Sequence, residues 1–203
     1  MAKASAAVER RMTVGEFLAW SEEQGDEARF ELVDDQPVRL MAPTTIRHAR
    51  VQRSAAEALR HAVAAAGLQC DVFEAGPGVA VAHDGDECRI PDVVVTCATA
   101  IDDTSYLVPE PVIVVEIASP STRLADVNDK VEFYNRIASI RHYLVIEQDR
   151  RRMVVVGRAP GGGLEPRIVR AGGVVLDPPG IELALEDLYH DTPLDERRER
   201  EDG

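Results

Sequence analysis

A glutamate stands inside an apolar run of this sequence. The stretch PVIVVEIA, Pro111–Ala118, has the composition of a buried β-strand, yet it contains Glu116. An unpaired carboxylate removed from water is costly or takes up a proton, so such a side chain is normally paired, hydrogen-bonded or bound to a metal ion. The chemistry of this chain is therefore expected around Glu116.

A second carboxylate lies in another apolar segment. Residues 89–97 are typical of one strand, and its alternation places Asp92 on one face with Ile90 and Val94. If this strand neighbours the strand of Glu116, the two carboxylates converge at one end of a sheet. Carboxylate oxygens are hard donors that suit Mg²⁺ or Mn²⁺. The pattern predicts that Glu116 is buried because it shares a metal ion with Asp92.

Lysine is rare in this chain and one lysine stands close to the carboxylates. Of 23 basic residues, 21 are arginine and two are lysine, Lys3 and Lys130. Lys130 falls in residues 126–137, which have helical spacing and follow the strand of Glu116. A compact ammonium can approach a water molecule or a phosphate oxygen more closely than a guanidinium. The composition alone leaves an exposed helix residue as an equal alternative.

The remaining elements have recognisable local signals. Thr13 and Glu16 form a capping-box pattern that predicts a helix to about Gly25, and Asp34-Asp35 favours a hairpin turn. Residues 48–66 have a helical period and end at Gly67. Further strands are predicted at residues 29–32, 37–41, 72–81, 143–146 and 153–156, with two short strands and a closing segment after them.

This order of elements predicts one α/β or α+β domain. The domain is expected to span residues 12–190, between a disordered tail at residues 1–11 and a charged tail at residues 191–203. The chain is too short for two full domains of ordinary size.

The net charge of −13 argues against a protein that coats nucleic acid electrostatically. Charge is uneven, however. Residues 46–67 carry four arginines against Glu57, a local charge of +3, and residues 119–152 carry seven basic against five acidic side chains, a local charge of +2. Any polyanionic partner is expected to approach these two segments.

Cysteines and hydropathy bear on the cellular compartment. Cys70, Cys88 and Cys97 are odd in number and contain no C-x-x-C pair, so we expect reduced thiols rather than a disulfide or a zinc site. No apolar run reaches the roughly 18 residues that span a bilayer, and the N-terminus lacks the apolar segment of a signal peptide. These features favour a cytoplasmic protein without a membrane partner.

Several motifs together resemble a known family. IPDVVV, PVIVVEIASPST and the D-x-x-x-K-x-x-x-Y spacing of Asp126, Lys130 and Tyr134 look like the Uma-type family of endonucleases. That family lies within the restriction-endonuclease-like superfamily, which is known by its PD…(D/E)-x-K signature. The similarity includes MTVGEFL and FELVDD upstream and HYLVIEQDRRRMVVV downstream, and covers about residues 12–189.

The resemblance implies a restriction-endonuclease-like mixed β-sheet flanked by helices. It also implies hydrolysis of DNA phosphodiester bonds with Mg²⁺ or Mn²⁺ held by Asp92, Glu116 and the carbonyl of Ile117. The superfamily lysine position is Ala118 in this chain, so its role is assigned to Lys130. Glu31, in FELVDD, matches an acidic position of the family and is expected to complete the metal environment.

Three further residues are candidates for supporting roles. His48 can cap a helix or face the site, Asp126 can orient Lys130 from one helical turn away, and Tyr134 continues the same face but equally fits a core aromatic.

Cutting both strands of a duplex favours a homodimer, and no protein partner can be inferred.

Two other functions stay open. One is a nucleic-acid-binding or regulatory protein that keeps the fold without turnover. The other is a metal phosphoesterase with a smaller substrate.

Overall fold

The structure is a computed structural model, and the part of the chain that it describes contains three α-helices. That part comprises residues 11–25, 29–40, 44–119, 125–159 and 161–195, without the side chains of residues 125–128. The helices are α1, Val14–Gln24; α2, Ile46–Ala65; and α3, Ala125–Arg136.

Twelve strands accompany the helices within the same residues. They are β1, Phe30–Val33; β2, Gln36–Arg39; β3, Asp71–Glu74; β4, Val79–Ala80; β5, Cys88–Arg89; β6, Val93–Thr96; β7, Pro111–Ala118; β8, His142–Glu147; β9, Met153–Arg158; β10, Leu164–Val169; β11, Gly173–Leu176; and β12, Ile181–Ala184. A short 3-10 helix, Asp187–Tyr189, follows β12.

The main sheet has six strands in the order β10-β9-β8-β7-β6-β3. Strands β7 and β8 are parallel and α3 lies between them in the chain, whereas the other neighbours in this sheet are antiparallel. One face packs with α2, the β11–β12 hairpin and the 3-10 helix, and the other packs with α3. The fold is a mixed α+β domain, as predicted.

Strand β7 is buried along its whole length because both faces of the main sheet are covered. Ile113, Val115 and Ile117 belong to the core on the α2 side, and Val114 and Ala118 belong to the core on the α3 side. Since strand side chains alternate, Glu116 faces α3.

A second sheet, β2-β1-β5-β4, packs with α1. The predicted capping box is confirmed, since Thr13 accepts from the Glu16 amide and the Glu16 carboxylate accepts from the Thr13 amide. The hairpin between β1 and β2 is also confirmed. It turns through Asp34 and Asp35, both with positive φ, a conformation that short polar side chains tolerate.

The prediction of one strand over residues 89–97 is wrong. The chain forms β5 in the small sheet, leaves it through Ile90, Pro91 and Asp92, and enters the main sheet as β6. The amide of Ile90 donates to the carboxylate of Glu31 instead of to a strand, and Pro91 has no amide hydrogen for a ladder. Residues 72–81 divide in the same way, into β3 and β4.

The expectation of three reduced thiols is wrong for two of them. Cys70 and Cys97 form a disulfide, and Cys88 is free and buried. The physical reason lies in the sheet: Cys70 precedes β3 and Cys97 follows β6, and the register of this antiparallel pair joins Asp71 to Thr96. The two cysteines are therefore direct cross-strand neighbours, although 27 residues separate them in the chain.

The packed structure extends slightly beyond the predicted C-terminal boundary at residue 190. Thr192 is 1% exposed and its hydroxyl donates to the Tyr189 carbonyl, and Leu194 packs against the main core. The rest of the predicted tails, residues 1–10 and 196–203, lies outside the described residues. None of the helices that the structure describes has the length and apolar character to cross a bilayer.

Candidate active site

The structure brings Asp92 and Glu116 together. Asp92 is the residue before β6, and the register that joins Val93 to Val115 places Asp92 opposite Glu116 on β7. The Oδ2 atom of Asp92 accepts a hydrogen bond of 2.7 Å from the Ile117 amide, which ties the first carboxylate to the strand of the second. The predicted convergence of the two acidic residues is therefore present.

The backbone of Ile117 also belongs to this site. In an antiparallel ladder, a residue directs its N–H and C=O toward the same neighbouring strand. Because the Ile117 amide points to Asp92, the Ile117 carbonyl is also directed toward the strand of Asp92. Its role as a third oxygen donor stays a prediction.

Glu116 has a cation and a hydroxyl as its partners. The Nζ atom of Lys130 lies 2.9 Å from Glu116 Oε2, and the Tyr134 hydroxyl donates to Oε1 at 2.7 Å. Both partners lie on α3, four residues apart, so they share one helical face toward β7. The Lys130 side chain is 16% exposed. The structure thus contradicts the alternative of an exposed surface lysine.

Burial dominates the electrostatics of Glu116. Desolvation raises the pKa of Glu116 to about 7, the nearby Lys130 ammonium lowers it, and the negative charge of Asp92 raises it. Burial and the Glu116 carboxylate also hold the pKa of Tyr134 well above its usual range, so Tyr134 stays a neutral donor. The carboxyl pair is one in which a divalent cation would relieve the repulsion.

The first turns of α2 reach Asp92 from the opposite side. Thr45 caps this helix by accepting from the His48 amide, and His48 Nε2 lies 3.0 Å from Asp92 Oδ1. The first option for His48, that it caps the helix, is wrong because Thr45 is the N-cap. The second option agrees with the geometry, since the His48 ring faces Asp92. Gln52, one turn later, donates from Nε2 to the Asp92 carbonyl at 2.9 Å.

Gln52 was not predicted from the sequence. The signal that could have identified this residue is its spacing of four from His48, which places both side chains on one helical face.

Gln148 is a second residue that the sequence analysis missed. It follows β8, its amide donates to the Ala118 carbonyl, and its side chain Oε1 accepts from the Thr45 hydroxyl at 3.3 Å. Gln148 therefore joins the carboxyl end of β7 to the start of α2. The available signal was the parallel pairing of two apolar strands, because the carboxyl ends of parallel strands lie at one sheet edge.

Glu31 lies near this site but has other partners. Its carboxylate accepts from the Ile90 amide at 2.9 Å and lies 3.7 Å from Arg89. The residues that the structure describes contain no group of three or more His, Cys, Asp or Glu side chains arranged to hold a metal ion. Glu31 fixes the segment before Asp92, and its direct participation in metal binding stays a prediction.

Asp126 lies in α3, but its side chain is outside the described residues. The contact expected between Asp126 and Lys130 stays a prediction. Tyr134 is both a core aromatic, 1% exposed, and a hydrogen-bond donor to the site.

The donor chemistry of the site fits a hard divalent cation. Among the described residues, each carboxylate oxygen of Asp92 and Glu116 has one partner. An ionised carboxylate has about four acceptor positions, which leaves lone pairs for a metal ion. Oxygen donors from side chains and backbone are what Mg²⁺ and Mn²⁺ prefer. A lysine beside such a pair can offset charge on a phosphate.

The fold is a mixed α+β sheet in which Asp92 and Glu116 meet near strand ends, close to Lys130 of α3. The solved structure described as "a putative nuclease belonging to DUF820" from Anabaena variabilis has this fold, with a TM-score of 0.64 at 16% sequence identity. The match covers 87% of this chain and 97% of that chain.

The particular family follows from the sequence. The model of the Uma2 family, described as "Putative restriction endonuclease", matches residues 14–189. The chain therefore belongs to the Uma2 family. No curated protein is significantly similar to it in sequence.

Proposed function

We propose that this protein is a Mg²⁺-dependent DNA endonuclease that hydrolyses phosphodiester bonds at Asp92 and Glu116. The observation that carries the proposal is the meeting of two carboxylates from neighbouring strands with the Lys130 ammonium, which contacts Glu116 at 2.9 Å. The family description supports a nuclease but does not specify the metal or the substrate.

Asp92, Glu116 and the carbonyl of Ile117 would hold the ion, with Mn²⁺ as an alternative to Mg²⁺. When bound, such an ion polarises a phosphate group and lowers the pKa of a water molecule. Burial of Glu116 would favour this binding, because a divalent cation compensates the ionised carboxylate that burial disfavours.

The other residues of the site would orient and compensate charge. Lys130 would offer its ammonium to the attacking water or to a phosphate oxygen as negative charge develops there. Tyr134, held neutral by burial, keeps Glu116 in place through its hydroxyl. His48 and the Ile117 amide hold the two oxygens of Asp92, so this carboxylate is preorganised before any ligand binds.

Plasmid cleavage tests the proposal. Supercoiled plasmid would be incubated with Mg²⁺, Mn²⁺ or EDTA and the wild type, Asp92→Asn, Glu116→Gln or Lys130→Met. Asp71→Asn is the matched control, because it removes an exposed carboxylate from the same sheet. Each variant would be purified identically and checked for folding by circular dichroism.

We expect cleavage by the wild type and by Asp71→Asn only with divalent cations, and a loss of at least 100-fold in each of the three site variants. Equal cleavage by the site variants would refute the proposed site. A folded wild type that binds DNA without cleaving it under any of these conditions would favour the non-catalytic alternative.

The same gel reports the oligomeric state that we propose, a homodimer. Two active sites related by a two-fold axis would convert supercoiled plasmid directly to linear product, whereas one site would accumulate nicked circles first.

A further inference from the structure

The first turns of α2 expose two arginines for which the described part of the chain contains no acidic partner. Arg47 and Arg50 are exposed, and the structure gives neither of them an ion pair or side-chain hydrogen bond among the residues it describes. Arginines further along the same helix differ. Arg53 lies near Glu57 and Asp191, each at 3.9 Å, and Arg60 binds Glu74 at 2.7 Å. The unpaired charge is therefore confined to the start of the helix.

This start of α2 is also the part of the helix that touches the active site. Thr45 contacts Gln148, and His48, the neighbour of Arg47, contacts Asp92. The first turn contains no acidic residue, and a helix N-terminus adds partial positive charge of its own.

Contacts of α2 place Arg50 on the side of the 3-10 helix. Ser54, one turn after Arg50, hydrogen-bonds the carbonyl of His190, which follows that helix. The hydroxyl of Tyr189 in turn lies within hydrogen-bond distance of the Glu147, Arg150 and Arg152 carbonyls in the β8–β9 turn. Arg50 therefore lies on the same side of the molecule as this turn.

The β8–β9 turn contributes a further exposed arginine. The Arg150 side chain is 51% exposed and binds Glu147, which also has Arg152 as a partner at 3.2 Å. Residues 147–152 carry three arginines against Glu147 and Asp149, which gives this turn a local charge of +1. Arg150 comes two residues after Gln148, which contacts the start of α2.

We infer that Arg47, Arg50 and Arg150 form a surface, the arginine border, that contacts the sugar–phosphate backbone of duplex DNA next to the active site. The inference rests on the proposed function for the identity of the partner. A net charge of −13 repels a polyanion from the chain as a whole, so productive approach requires local positive charge beside the carboxylates. Exposed guanidinium groups suit phosphate oxygens through bidentate hydrogen bonds.

Salt-dependent binding tests this inference without any cleavage. The affinity for a short fluorescent DNA duplex would be measured by anisotropy in EDTA over a salt series, with the RNA duplex of the same sequence as a second probe. The variants are Arg47→Ala/Arg50→Ala, Arg150→Ala and the charge-preserving Arg47→Lys/Arg50→Lys. Arg60→Ala is the matched control, because it removes the same charge from the same helix far from the site.

We expect the slope of log affinity against log salt to decrease in magnitude by about 2 in the double alanine variant and by about 1 in Arg150→Ala. The double lysine variant and Arg60→Ala should keep the wild-type slope, and thermal melting should show all variants folded. Tighter binding of the DNA duplex than of the RNA duplex supports DNA as the partner, and the reverse order would overturn this part of the inference.

Unchanged slopes in the alanine variants, an equal loss in Arg60→Ala, or no binding of either duplex by the wild type would overturn the arginine border. These results are independent of catalysis. If plasmid is not cleaved but the slopes change as expected, the proposed hydrolysis fails and the binding surface survives. If plasmid is cleaved but the slopes do not change, the reverse holds.

Discussion

Replacement of Glu116 by glutamine isolates the energetic effect of burying its carboxyl group. Folding raises the pKa of this group from 4.5 to about 7, chiefly through desolvation. The folded state therefore holds the proton more tightly than the unfolded state does. The resulting stabilisation is fully present below pH 4.5 and is lost as the pH rises through 7.

Linkage with these two pKa values gives a loss of about 2.5 kcal/mol in the free energy of unfolding between pH 5 and pH 8. Glutamine does not titrate, so Glu116→Gln lacks this loss. The attraction between Lys130 and the ionised Glu116 already contributes to the pKa of about 7, so it is not counted again in this difference. The difference in stability, wild type minus variant, should therefore decrease by about 2.5 kcal/mol from pH 5 to pH 8.

Urea unfolding followed by fluorescence of Trp20 would measure this difference at several pH values in EDTA. Glu132→Gln is the matched control, because it makes the same substitution at an exposed position of α3 where no carboxyl group is buried. If the stability difference between the wild type and Glu116→Gln stays constant or increases with pH, burial of Glu116 does not raise its pKa as argued. Such a result would mean that Lys130 fully compensates the ionised carboxylate.

Three other substitutions test the packing around the site and the sheets. Tyr134→Phe removes a buried donor at 2.7 Å from the site carboxylate and should cost about 1–2 kcal/mol of unfolding free energy in urea titrations. Loss of the disulfide through Cys70→Ser/Cys97→Ser should cost about 3 kcal/mol of unfolding free energy. In a thiol assay, wild type that is denatured without a reducing agent should show one free thiol per chain. Gly173→Ala should lower the unfolding free energy by about 1–3 kcal/mol in the same titrations, because a Cβ atom there would lie 2.8 Å from a backbone carbonyl oxygen of the paired strand. Gly163→Ala is the control in open space and should change the unfolding free energy by less than about 0.5 kcal/mol.

Local signals in the sequence predicted the parts of the fold that depend on local chemistry. The capping box of Thr13 and Glu16 and the turn at Asp34 and Asp35 are satisfied by residues within four positions of each other. The apolar period of α2 also predicted its extent to within two residues. These features depend on neighbouring residues only.

The features that were missed depend on distant pairing. The division of residues 89–97 between two sheets requires Glu31 as a partner for the Ile90 amide, 59 positions away. The disulfide depends on the register of β3 and β6, which no spacing between cysteines reveals.

In the candidate site, too, some residues were predicted from the sequence and others were not. Asp92 and Glu116 were predicted to converge because strand alternation and a family resemblance agreed, and the structure brings them together. Gln52 and Gln148 were missed because an amide side chain is ordinary on a surface. Their contacts with the Asp92 carbonyl and with Thr45 appear only when α2 is placed across the end of the main sheet.

Anomalous diffraction from crystals grown with Mn²⁺ would show directly where the metal binds. We expect a strong peak between the carboxylates of Asp92 and Glu116, and no such peak in Asp92→Asn crystals grown identically. A wild-type map without a peak between these two residues, or with the only ordered ion elsewhere, would contradict the claim that this carboxylate pair is a metal-dependent hydrolytic site.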